Sequence, residues 1–69
     1  MYKFRYDPEA DVLTVIIRDD GVLDHAEETG DLILHVDKKG KPLFLEILNA
    51  KKIVPAMAET LTTLEATVQ

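Results

Sequence analysis

The sequence predicts an α+β fold: a four-stranded antiparallel β-meander in chain order, with a C-terminal amphipathic helix packed on one face. Three observations predict it. Short apolar stretches alternate with a period of two. Turn-forming residues separate them at close intervals, at Asp7-Pro8, Asp19-Asp20-Gly21, Thr29-Gly30 and Asp37-Lys38-Lys39-Gly40. The final stretch changes to a helical period. With 69 residues the chain is one domain, residues 1–48 forming the meander and 49–69 the helical segment.

The first hairpin organises the chain. Tyr2, Phe4 and Tyr6 alternate with Lys3 and Arg5, so aromatics and cations fall on opposite faces. Asp7-Pro8-Glu9-Ala10 fits a type I turn, in which Asp7 bonds the backbone two residues on and Pro8 pre-sets φ. Asp7, Pro8 and Asp11 are read as structural turn residues, with Asp11 bonding backbone at the start of the next strand. Val12 to Ile17 is apolar and β-branched on both faces, which suits a central strand or one covered by a partner.

Val22 to Glu28 is weaker and reads as a short irregular strand or an extended loop. Asp31 to Val36 reads as a strand with Leu32, Leu34 and Val36 on one face and Ile33 and His35 on the other. Gly40 is the expected left-handed residue of the next hairpin loop. Lys41 to Leu48 places Leu43, Leu45 and Ile47 on one face and Phe44, Glu46 and Leu48 on the other. Matching apolar faces predicts Leu34 beside Leu43, Leu32 beside Leu45 and His35 beside Pro42, unless a glycine bulge shifts the register. Asn49 is the expected N-cap. Pro55 should kink or restart the helix. Ile53, Met57, Leu61, Leu64 and Val68 fall within about 80° of arc at ~100° per residue. The threonines at 60, 62, 63 and 67 lower the helix propensity.

Four groups of residues carry a strong resemblance to one family. They are Tyr6-Asp7-Pro8-Glu9-Ala10-Asp11-Val12-Leu13, Gly30-Asp31, Asp37-Lys38-Lys39-Gly40, and Leu45-Glu46-Ile47-Leu48-Asn49-Ala50-Lys51. Together they resemble a small prokaryotic family of unknown function, domain of unknown function 2283, over roughly residues 4 to 52. The resemblance implies an antiparallel meander with a helix, assigns no particular activity, and suggests genes beside those of small toxin-like proteins. Ile16 stands where the family often carries a charge, which makes the second sheet face more apolar here.

Several chemistries are excluded. The chain has no cysteine and no serine, so thiol nucleophiles, cysteine-ligated zinc and a serine triad are absent. Its three glycines are isolated, so no phosphate-cradling loop exists. A net charge of −5 opposes phosphate-backbone binding, and the lysines at 38, 39 and 41 read as a solvated hairpin tip. Asp7, Glu9 and Asp11 lack the glycine of a calcium loop. His25 and His35 lack converging ligands, and His35 lies at best diagonal to Glu46. No catalytic residue, metal ligand or cofactor is assigned. No membrane span or signal peptide is read, and a cytoplasmic location is expected.

The expected function is therefore non-enzymatic. A domain this small is marginal alone, and its second face leaves apolar surface to spare. The expected role is a homo-oligomeric protein-interaction module, a dimer foremost. Val12, Ile16, Ile33, His35, Phe44 and Leu48 on the sheet, with Met57, Leu61 and Leu64 on the helix, are the expected interface. A small basic protein is the expected further partner, bound in an antitoxin-like manner. The alternative is a small-molecule or metal-dependent enzyme using His25, His35 and nearby carboxylates at a dimer cleft.

Overall fold

A strand that is apolar on both faces needs neighbours on both sides, and this requirement sets the topology. The computed structural model describes residues 2–68, with side chains to residue 63. Five strands, β1 (Lys3–Asp7), β2 (Val12–Ile16), β3 (Leu23–Thr29), β4 (Leu32–Asp37) and β5 (Pro42–Leu48), precede a single helix, α1 (Ala50–Val68). They form one antiparallel sheet in the order β1-β2-β5-β4-β3. The α+β class and the antiparallel sheet agree with the sequence reading. The strand count is five rather than four, and the strands do not follow one another across the sheet in chain order. The weak Val22–Glu28 stretch is the added strand, β3, placed at an edge where it pairs with β4 alone. The strongly apolar β5 takes the central place beside β2.

The β2–β3 connection crosses the end of the sheet and is pinned there. Ile17 and Arg18 both donate their backbone N–H to the carbonyl of Leu43, at 2.8 and 3.0 Å. A Cβ at Gly21 would press on the Cδ2 methyl of the buried Leu43, which would have to shift to admit it.

Register also departs from expectation, by two residues. Leu34 lies opposite Leu45, Leu32 opposite Ile47 and His35 opposite Phe44. The cause is the β4–β5 loop: Gly40 at φ +78° closes a turn onto the Asp37 carbonyl, and a bulge falls between His35 and Val36. A shift of two keeps each face intact, so the apolar faces still coincide.

Cross-strand rows define the two faces. One carries Tyr6, Leu13, Ile47 and Leu32, then Phe4, Val15, Leu45 and Leu34. The other carries Arg5, Thr14, Glu46 and Ile33, then Lys3, Ile16, Phe44 and His35. Among the described residues the buried apolar ones are few: Val36, Leu43, Ile47 and Ala50.

The helix does not lie down on the sheet as expected. It leans chiefly on β5 at its base, where Ala50 is buried and Ile53 half-buried, while residues 54 to 63 are exposed. One residue, Asn49, separates β5 from α1, which leaves too little chain to reverse direction. The helix runs through Pro55 without a restart. Pro55 has no N–H for the Lys51 carbonyl; both residues are exposed, so water can take that acceptor.

Candidate functional site

The first β-turn and the helix base form one unit. Asp7 Oδ1 accepts from the N–H of Glu9 at 3.0 Å and of Ala10 at 3.3 Å, which closes the turn around Pro8. The chain then enters Asp11 in the left-handed region, at φ +56°. That conformation turns Asp11 toward the helix, 40 residues further on. Its carbonyl accepts from Ala50 N–H at 3.1 Å, and its carboxylate accepts from Lys51 N–H at 3.2 and 3.4 Å. Tyr6 donates its hydroxyl to the same carboxylate at 2.7 Å. This bond, the carboxylates of Asp11 and Asp7, and partial burial push the Tyr6 phenol above its usual range.

Asn49 stands at the N-cap position, but its side chain does not cap the helix. Its carbonyl accepts from Lys52 and Ile53, both at 3.0 Å, while its amide donates to Asp31 Oδ1 at 3.2 Å. Asp31, at the β3–β4 turn, also accepts Leu48 N–H at its carbonyl, at 2.8 Å. The capping carboxylate thus comes from Asp11, in another turn, and serves the donors of the first helical turn. The first turn holds no acidic residue of its own. That absence, next to the acidic turn of the first hairpin, was the available sequence signal.

At the opposite end of the sheet Asp37 forms a second hub. Its Oδ1 accepts from Lys39 and Lys41 N–H, both at 2.9 Å, and its Oδ2 from Arg18 at 3.2 Å. The Lys41 amide, then the Lys39 amide and Arg18, hold its carboxyl below the usual range despite its burial. Arg18 also pairs with Asp20 at 3.2 Å, and both carboxylates push its guanidinium up.

On the second face His35 Nε2 lies 2.6 Å from Glu46 Oε1, a closer approach than the sequence register allows. The imidazole stacks on Phe44 with ring centroids 4.0 Å apart. A carboxylate can only accept, so Nε2 donates to Glu46, and Nδ1 is buried and without a partner among the described residues. The hydrogen bond and the stack on Phe44 fix the orientation of the ring. His25 contacts its neighbour Asp24 at 2.7 Å and Glu27 at 3.9 Å on the exposed β3 edge. Among the described residues no three His, Asp or Glu side chains converge as a cation site.

The remaining expected interface residues fall in two places. Val12, Ile16, Ile33, Phe44 and Leu48 are half-buried on the second face with His35. Met57 and Leu61 are 42% and 64% exposed on the helix, and the Leu64 side chain lies outside the described residues. An open hollow of about 470 Å³ follows the helix, and among the described residues its lining is Ile53, Ala56, Met57, Thr60 and Leu61, all on the helix. Thr60, Thr62 and Thr63 bond their hydroxyls to the carbonyls four residues back, at 3.0–3.1 Å, so this arm also satisfies its own polar groups.

No described helix is long and apolar enough to cross a membrane. Neither a curated protein nor a solved structure matches the chain. A family model described as a protein of unknown function does match, over residues 3–51. That span takes in the whole sheet and the capped helix base and ends where the exposed arm begins. The chain belongs to the DUF2283 family.

Proposed function

We propose that this chain is a non-enzymatic protein-interaction module that works as a homodimer. The observation that carries the reading is the bare helix stripe. Ile53, Met57 and Leu61 follow one another along an arm that leaves its own sheet behind. Apolar surface presented in this way marks an interface.

The second partner is a small basic protein, bound in an antitoxin-like manner. The 13 acidic residues outnumber the 8 basic ones, and Asp24, Glu27 and Glu28 are exposed along the β3 edge. Such charge guards an open strand edge against pairing with other acidic copies, yet suits a basic segment. Light scattering on the untagged chain at micromolar concentration tests the first part; a dimer is expected, and a monomer throughout overturns it. Affinity capture with intact-mass readout tests the second. A stoichiometric small basic chain, released by salt, is expected; capture of the homodimer alone removes the antitoxin-like role.

A further inference from the structure

We propose that the dimer is built by reciprocal helix exchange, the α1 stripe of each copy lying across the aliphatic face of the other copy's sheet. The inference rests on the homodimer reading and commits it to one geometry.

Four observations carry it. The first is the helix base. Its donors are held by the Asp11 carbonyl and carboxylate, and the Asn49 amide is held by Asp31. With a single residue between strand and helix, these bonds fix the direction in which the arm leaves the sheet. Folding α1 back over its own sheet would break them, so another molecule must cover the stripe.

The second is the match of surfaces. The rows Tyr6, Leu13, Ile47, Leu32 and Phe4, Val15, Leu45, Leu34 hold no charge across β1, β2, β5 and β4, and end at Thr29 and Glu27 on the β3 edge. Within them Leu13, Val15, Leu32, Leu34 and Leu45 are only half-buried and Phe4 is 69% exposed. The opposite face holds Thr14, the His35–Glu46 pair, Lys3 and Arg5. A stripe of Ile, Met and Leu loses less by covering the first face away from the β3 edge, because fewer charged groups have to leave water there.

The third is area. The chain exposes 5503 Å², whereas a compact monomer of this mass exposes about 4,400 Å². The surplus of about 1,100 Å² is of the order that one partner gives to a standard interface, about 800 Å². Its radius of gyration, 13.7 Å, likewise exceeds the about 11 Å of a compact domain of this length.

The fourth is symmetry. One copy offers a helix and a sheet face, each lacking the other. A two-fold axis satisfies both at once and closes the assembly, since residue i meets j and j meets i. The helix-on-sheet packing that the sequence predicts within one chain is then completed between two.

The chain contains no cysteine, so single thiols can be placed cleanly. Met57→Cys and Val15→Cys copies are purified separately, mixed, allowed to exchange and treated with a short bis-thiol reagent. Leu34→Cys serves as a second sheet position should Val15→Cys fold poorly. Linkage of the mixed pair is expected, with little from either sheet variant alone. Leu61→Glu in the helix copy should weaken dimerisation about tenfold or more and remove the link. Self-linkage of Met57→Cys with no gain on mixing would mean that helices pair with helices; this overturns the exchange and leaves the homodimer standing. Monomers by light scattering overturn both.

Discussion

Leu43 and Leu61 have the same side chain and opposite situations. Leu43 is 4% exposed near one end of the central strand, against the crossing segment at Gly21, and its carbonyl accepts two amides. Leu61 is 64% exposed on the arm. The sheet is held by groups that meet within one chain. Among the described residues the arm is held at its base, and residues 54 to 63 along it are exposed. Residue type alone does not separate the two leucines; the length of chain available to fold each onto a neighbour does.

The largest separation should come from truncation at the buried end. Leu43→Ala leaves a cavity and should cost about 2–5 kcal/mol. In a domain whose few buried apolar residues, among those described, are Val36, Leu43, Ile47 and Ala50, that loss consumes most of the expected stability. Urea unfolding followed by far-UV circular dichroism should show a much lower midpoint at every protein concentration. A shift within the error of the wild type would mean that Leu43 is not a keystone of the sheet.

Asp11→Ala acts at the join between the two regions. Loss of an N-cap carboxylate costs about 1 kcal/mol, and this one also leaves the Tyr6 hydroxyl without its acceptor. The structural consequence should exceed the energetic one. Amide exchange should rise at Lys51, whose N–H the Asp11 carboxylate holds, and stay as in the wild type across β4 and β5. Unchanged exchange at Lys51 would show that the arm is aimed by something other than the Asp11 carboxylate.

The two carboxylate hubs should fail at opposite ends of the pH scale. Asp37 is held below its ordinary value of 3.8, so the unfolded chain takes up its proton more readily than the folded one. Its contribution is complete above that value and is lost as pH falls through the folded pKa. Tyr6 is raised above 10.0, so its contribution is complete below that value and is lost as pH rises through the folded pKa. Asp37→Asn should flatten the acid limb of a stability–pH curve, and Tyr6→Phe the alkaline limb. Limbs unaltered by these substitutions would detach the hubs from stability.

Most of the fold was legible because hydrophobic period and turn residues are local signals. Asp7-Pro8, Gly40 and the change of period after Leu48 each mark an element without reference to any other. What escaped was set by distance along the chain. The place of β5 between β2 and β4 depends on competition among strands, which no single stretch records. The capping carboxylate lies 40 residues from the helix it serves, whereas the local pattern points to Asn49. The His35–Glu46 approach required the shifted register, which a bulge produces. The stripe itself was legible as amphipathic; its exposure was not, because an amphipathic pattern says that a face is covered and does not say by which chain.

The smallest effect on folding should therefore come from the more exposed leucine. Leu61→Glu removes apolar surface that water already reaches, and surface substitutions usually shift stability within about 0.5 kcal/mol. At concentrations low enough to dissociate a dimer, its unfolding midpoint should match the wild type. Raising the concentration should then separate them, because association stabilises only the form that associates. The wild-type midpoint should climb with concentration while that of Leu61→Glu stays flat. Parallel curves for the two proteins would place Leu61 outside any assembly interface. A drop for Leu61→Glu that is independent of concentration would return the stripe to the chain's own core.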